Sequence, residues 1–349
     1  MTGRMAPAML APSWPVEVYM NRCSLRLLAA AIVSTFIAFA ARADSGADFF
    51  NGKTITYVVS TDPGGGYDAN GRLVAEFMQK HLPGSTIVVR NMPGAGQIIG
   101  ANFIYAAEPD GLTIGTFNTG LIYAQLADKA GIRFDLSRMS WIGKVASDPR
   151  VVVVSEQSGI ADFSELAGTQ TTLKFAAPGV GSASAIETAL LVSALGLPIK
   201  IITGYNGDED QLAMMRGEVQ GTLGSRSSFQ RFVDEGHGKL IAQIGGSQTD
   251  VPLLETMITD EAGRKVLSLV QSQGSIARVT AGPPGIPADR LDALRAAYAA
   301  ATSDPAFLAK AKQLGLPVDP ATGDELAGAV AKALNQTPEM VRFLKYNTK

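Results

Sequence analysis

The segment Thr54–Phe117 constrains the fold more than any other part of the chain. It alternates three short β-branched runs with two helix-like runs, and each strand-to-helix junction is rich in glycine. That alternation predicts a parallel sheet whose connecting loops gather at one edge.

The first junction is Pro63-Gly64-Gly65-Gly66, which ends the strand Thr54–Val59. Leu73, Val74, Phe77, Met78 and Leu82 then recur at helical spacing. The glycines let the backbone fold tightly and approach a ligand closely. The free N–H groups at the start of the following helix favour an anion. Two readings stand for Asp68, which lies where that helix begins: a ligand contact, or an N-cap beside a plain turn.

The second junction, Asn91-Met92-Pro93-Gly94-Ala95-Gly96, leads into a helix with Ile98, Ile99, Phe103 and Ile104. Glu108-Pro109-Asp110-Gly111 then turns the chain into the strand Leu112–Phe117. GGGYDANGR, VVRNMPGAGQIIGA and AAEPDGLTIGT, in this order and spacing, resemble the extracytoplasmic solute receptors of tripartite tricarboxylate transporters, the Bug family. The resemblance continues more loosely to the C-terminus.

Length agrees with a two-domain protein. The chain has 349 residues, 46% of them hydrophobic, enough for a large core. Its net charge of −2, without a lysine-arginine stripe, gives no reason to expect nucleic acid as a partner. Met20–Arg26 is a short basic segment, Leu27–Ala41 an apolar run, and Ala41-Arg42-Ala43 a small-x-small cleavage site. Together they predict a secretory signal peptide cleaved near Ala43, and hence a periplasmic protein. Met20 reads as an alternative start, with Met1–Tyr19 an upstream extension. Cys23 is the only cysteine and precedes the apolar run, which argues against a lipid anchor. The segment 1–43 is therefore set apart from the folded chain.

The four valines Val151–Val154 read as a strand buried on both faces. A second alternation follows. The strand Leu173–Ala177 meets the corner Pro178–Ser184, where Ser184 and Glu187 have capping-box spacing. The strand Lys200–Thr203 meets Gly204-Tyr205-Asn206-Gly207-Asp208, and Val219–Leu223 is followed by Gly224-Ser225-Arg226. Lys239–Ile244 reads as a strand, Val266–Val270 and Ala277–Ala281 lead into Gly282-Pro283-Pro284-Gly285-Ile286-Pro287, and the chain ends in helices. The family pattern has small residues where this chain carries Asp208-Glu209-Asp210. For Arg226, bidentate contact with a carboxylate and a solvated helix start are equally open.

Enzyme chemistry finds few suitable residues. The histidines are His81 and His237 alone, and neither lies near a Gly-x-Ser-x-Gly elbow. No cysteine or paired histidine supports zinc, and no phosphate-binding loop of the Gly-x-x-x-x-Gly-Lys-Ser/Thr type occurs. The sequence therefore predicts no catalytic residue, no metal and no cofactor.

The resemblance implies two doubly wound α/β domains joined by a hinge, the type II periplasmic binding protein architecture, with the ligand in the interdomain cleft. Domain I would comprise 44–150 and 275–349, and domain II 151–274. The hinge would lie near Ser147–Ser155 and Gln271–Ala281. The expected ligand contacts are Gly65, Gly66, Tyr67 and Asp68 from the first corner and Asn118 and Thr119 from the third. Gly181, Ser182, Ser184, Tyr205, Gly207, Asp208 and Arg226 would come from the second domain. The implied function is capture of a small organic carboxylate by a monomer, with delivery to a permease of one large and one small membrane subunit. An exported metal-free hydrolase or lyase, and a receptor feeding a membrane sensor, are the alternatives.

Overall fold

A computed structural model describes residues 45–118, 120–246 and 249–347. The predicted leader, with Met20, Cys23 and Ala43, lies outside them, as does Thr119.

Two mixed sheets form two α/β lobes. In the first, β1 (Thr54–Val59), β2 (Thr86–Asn91) and β3 (Thr113–Phe117) run parallel, with Thr56 opposite both Val88 and Thr113. α1 (Gly65–Lys80) and α2 (Ile98–Tyr105) connect them, and α3 (Gly120–Leu126) follows. β4 (Ser140–Ala146) completes the first pass, and β5 (Arg150–Ser155) opens the second sheet. That sheet adds β6 (Leu173–Ala177), α5 after the short α4 (Phe163–Gly168), β7 (Ile199–Thr203), α6, β8 (Gly221–Ser225), α7 and β9 (Gly238–Ile244). Here α5 is Ala183–Leu195, α6 is Glu209–Met215 and α7 is Arg226–Asp234. α8 (Glu261–Gly274) leads back to β10 (Ala277–Gly282) in the first sheet. α9 (Ala288–Ser303), α10 (Pro305–Gln313), β11 (Ala321–Thr322), α11 (Gly323–Leu334) and α12 (Pro338–Asn347) close the chain.

The strand orders are β2-β1-β3-β10-β4-β11 and β7-β6-β8-β5-β9. Each sheet has a parallel core and one strand arriving from the other lobe. That visitor is β10 in the first sheet and β5 in the second, and each runs antiparallel to both neighbours. The sheets are thus mixed rather than purely parallel, because a strand that crosses between lobes enters from the far side. Asp148 N–H donates to Gly274 O at 2.9 Å, so the two crossings are tied where they pass.

Both faces of β5 are buried, and its valines divide between them. Val152 and Val154 join the core formed with α5 and α8, whereas Val151 and Val153 join Ala213, Met214, Phe229 and Phe232 from α6 and α7. Alternation of side chains along a strand sends neighbours to opposite faces. In the first lobe Phe77 and Phe307 meet edge to face at 5.4 Å between ring centres, joining α1 to α10.

Val266–Val270 belongs to α8, and Asp260 caps that helix by accepting from Gly263 N–H at 2.7 Å. One domain boundary departs from expectation. Residues 275–349 do not all return to the first lobe. α12 lays Leu344, Met340 and Phe343 on the core of the second, together with Tyr123 of α3. An amphipathic helix goes where an apolar face is open, and α3 and α5 leave one between them. Among the described residues, no helix is long and apolar enough to cross a membrane.

Candidate functional site

The chain reverses its winding direction between β1 and β3 in one sheet and between β6 and β8 in the other. In open α/β sheets, ligands settle outside the carboxyl ends of strands at such points. The loops leaving those four strands line one cavity of about 550 Å³ between the lobes. The first lobe supplies Ser60–Asp62, Gly64–Tyr67, Pro93–Ile98 and Asn118, and the second supplies Pro178–Ser184, Asn206–Asp208 and Ser225.

The lobes touch at glycine. A Cβ on Gly96 would lie 2.5–2.7 Å from backbone atoms of Gly181 and Ser182 across the cleft. A Cβ on Gly120 would lie 2.6 Å from that of Ala183. The Gly94–Gln97 loop reaches across with four successive positive φ values, including Ala95 at 49° and Gln97 at 77°. Left-handed backbone at non-glycine residues persists only where the surroundings hold it. Here Gln97 Oε1 accepts from Asn118 N–H at 2.7 Å, tying the second corner to the third. Lys129 Nζ adds a bond to Val180 O at 3.0 Å, also between lobes.

Two helices, α1 and α5, begin at the cavity wall, at Gly65 and Ala183. The first N–H groups of a helix have no partner within it, and the helix dipole adds positive potential there. Ser182 caps α5, accepting from Ala185 N–H at 3.2 Å while donating to Gly179 O at 2.7 Å. Ser184 therefore lies inside the helix and is not its cap. Its hydroxyl is buried without a hydrogen-bond partner, and so is that of Ser60; both residues line the cavity.

The floor of the cavity, near the crossings, is charged. Arg150 Nε and Nη2 each lie 2.6 Å from Glu187 Oε2, and its Nη1 donates to Ser225 Oγ at 2.9 Å. Tyr123 OH donates to Glu187 Oε1 at 3.2 Å. Beside them Asp148 accepts from Arg278 Nη2 at 3.0 Å and from Ser227 N–H at 3.1 Å. The Asp148 carboxylate thus occupies the N-terminus of α7 from within the chain. The Arg278 guanidinium lies 3.8 Å from the centre of the Tyr67 ring, a cation–π contact.

Of the expected contacts, Gly65, Gly66, Tyr67, Asn118, Gly181, Ser182, Ser184, Gly207 and Asp208 line this cavity. Three do not. The Asp68 carboxylate turns away to accept from Arg72 Nε at 2.9 Å, Asn91 Nδ2 at 2.8 Å and Gly64 N–H at 3.0 Å. Partial burial opposes its charge, but those hydrogen bonds hold its pKa below the usual value. Those three bonds let Asp68 fix the shape of the first corner. Tyr205 packs against the α6–α7 side of the second sheet. Arg226 pairs with Asp250 and does not reach the cleft. The sequence reading missed Arg150, Glu187, Asp148, Gln211 and the Ala95–Gln97 loop. Among the described residues there is no group of three or more His, Cys, Asp or Glu side chains placed to hold a metal.

Residues 71–344 match the model of a family described as tripartite tricarboxylate transporter family receptor. A protein of Agrobacterium vitis, from the TAR-I ttuE-ttuC' intergenic region, is 24% identical over 327 residues, covering 89% of this chain and 90% of that protein. BugT of Bordetella pertussis is 26% identical, covering 66% and 73%. The solved structure of the periplasmic binding protein BugD is 25% identical and superposes with a TM-score of 0.70, covering 84% of this chain and 97% of that one. MatC of Rhodopseudomonas palustris, solved with malate, is 22% identical with a TM-score of 0.68, covering 85% and 99%.

Proposed function

This chain belongs to the tripartite tricarboxylate transporter receptor family, and we propose that it is a periplasmic binding protein that captures a small organic carboxylate and hands it to a membrane permease of one large and one small subunit. It acts as a monomer and not as an enzyme. The observation that carries this reading is the cavity between the lobes, where the switch points of both sheets and the N-termini of α1 and α5 meet. Malate in MatC and adipate in a further R. palustris structure are carboxylates held by proteins of the same fold.

In this reading backbone N–H groups of the Gly65–Tyr67 and Gly181–Ser184 corners receive the carboxylate. The ligand touches both lobes in the shut form and only one in the open form. Its extra contacts therefore favour closure. The contacts of Gly96 with Gly181 and of Gly120 with Ala183 belong to that shut form.

Calorimetry and Tm measurements with a panel of carboxylates test the assignment, with the ligand recovered afterwards. Stabilisation by a ligand recovered intact supports it, and conversion of the ligand into product would replace it with the exported hydrolase or lyase. Two variants sharpen the test. Gly96→Ala is expected to lower affinity by about tenfold or more, because its methyl group would hold the lobes apart. Ala95, already at φ 49°, shows that this loop accepts a left-handed alanine, so the fold should survive. Ser182→Ala is expected to weaken binding and to cost about 1 kcal/mol of stability through the lost cap. Unchanged affinity in both variants would refute the assignment of these corners.

A further inference from the structure

We propose that Tyr123 is a positioning residue for capture: carried by the first lobe and seated in the core of the second, it holds the lobes together through Glu187 before any ligand arrives. The inference rests on the reading of the cavity as a cleft that closes, and it assigns no ligand to that cleft.

α3, which carries Tyr123, is packed into both lobes. The chain enters and leaves this helix from the first lobe, and Gln125 fixes it there. Gln125 Nε2 donates to Asp135 Oδ1 at 3.1 Å, and its Oε1 accepts from Leu136 N–H at 2.8 Å. Leu121 and Ile122 lie in the first-lobe core with Trp141 and with Leu326 and Val330 of α11. Tyr123 stands about 200° round the helix from Leu121. It is wholly buried in the other core, with Ile186 and Leu190 of α5 and Leu344 of α12. Gly120 and Ala183, the first residues of α3 and α5, leave no room for a larger side chain between the two helices.

The Tyr123 hydroxyl does more than fill space. It donates to Glu187 Oε1 at 3.2 Å, while Glu187 Oε2 accepts from Arg150 Nε at 2.6 Å. Glu187 and Arg150 line the cavity, whereas Tyr123 stands behind them. Burial pushes the Glu187 carboxyl up, and Arg150 and the Tyr123 bond pull it back. Glu187 is 1% exposed, so an Oε1 that loses its donor gains no water in exchange.

Opening the cleft therefore forces a choice on α3. If the helix stays with the first lobe, the bond from Tyr123 to Glu187 breaks and the ring leaves the second core. If it follows the second lobe, Gln125 loses Asp135 and Leu136, and Leu121 and Ile122 leave the first core. Either cost falls on the open form alone and so favours the shut one.

The test reads the separation of the lobes without any ligand. Thr86 and Lys200, exposed at the starts of the edge strands β2 and β7, are changed to cysteine and spin-labelled; Cys23, in the predicted leader, is the only native cysteine. Distance distributions in dialysed protein then give the ratio of shut to open forms. Tyr123→Phe keeps the ring and is expected to lower that ratio about tenfold or more, the effect of losing one hydrogen bond to a charged group. Gln125→Ala leaves Tyr123 in place, loosens α3 from the first lobe, and is expected to lower the ratio as well. It carries the test if Tyr123→Phe fails to fold. Tyr57→Phe removes a buried hydroxyl that is hydrogen-bonded within the first lobe, to Thr280 at 2.7 Å. It is expected to lower Tm and leave the ratio unchanged. A ratio that does not move in the folded Tyr123 or Gln125 variant would overturn the inference. So would an equal fall in Tyr57→Phe, which would make Tyr123 a core residue only, or a parent protein found wholly open. None of these results touches the carboxylate reading, which calorimetry tests separately.

Discussion

Asp148→Ala is expected to destabilise the protein by about 3–5 kcal/mol, a large part of the stability of an ordinary domain. Asp148 and Arg278 are each 1% exposed at the side chain, and their pairing joins one inter-lobe crossing to the other. The same carboxylate accepts from the Ser227 hydroxyl and N–H at the start of α7. Removing it strands a buried guanidinium whose Nε and Nη1 already have no hydrogen-bond partner. Arg278 also adopts φ 56° within β10, a left-handed conformation that costs about 1–2 kcal/mol for a residue with a side chain. The clamp formed with Asp148, Ser227 and Tyr67 holds it there. The double variant Asp148→Ala/Arg278→Met is expected to recover much of the loss, because no buried charge is then left unpaired. Denaturant midpoints for the three proteins decide the matter. A loss below about 1 kcal/mol in Asp148→Ala would mean that water reaches the guanidinium and that the clamp is not structural.

The same clamp explains why the floor of the cleft was hard to read in advance. Asp148 and Arg278 lie 130 residues apart, and Arg150 and Glu187 lie 37 apart. No local period links such pairs; the crossing of the chain between the lobes creates them. One signal was present. Glu187 stands in an apolar helix among Ile186, Leu190 and Leu191, where a buried acid needs a partner. Its spacing from Ser184 instead suggested a capping box, but the cap is Ser182. For Asp68 the contrary signal was local. Arg72 stands four residues on, the spacing of a helical ion pair, and the structure forms that pair.

The corners themselves were legible because they rest on local chemistry. Glycine at Gly65, Gly66 and Gly181 follows β-branched or apolar strands, and the strand ends bring these turns to one cavity. β1 spans Thr54–Val59 and β6 spans Leu173–Ala177, the residues their apolar runs predict. Val266–Val270 gave no element type by itself, because a run of five apolar-rich residues does not distinguish a strand from the buried face of a helix. The acid cap at Asp260 and the periodic Val266, Leu267, Leu269 and Val270 settle it as α8.

Asp210→Asn is expected to make the empty protein more stable at pH 8, by as much as about 4 kcal/mol, and to leave its stability at pH 4 nearly unchanged. Burial pushes the Asp210 carboxyl up from the usual 3.8 to about 7, and the neighbouring charges of Asp208 and Glu209 add to the rise. The folded protein therefore holds this proton more tightly than the unfolded chain does. Stability is unaffected by the group below the unfolded value. It falls as pH climbs from about 4 to about 7, and the whole cost is present above that. Asparagine never ionises and keeps an oxygen for Gln211 N–H, so the variant should lose this part of the pH dependence. Thermal or denaturant unfolding of both proteins at pH 4, 6 and 8 supplies the comparison. Parallel curves would show that the carboxylate is solvated in the native state and costs nothing.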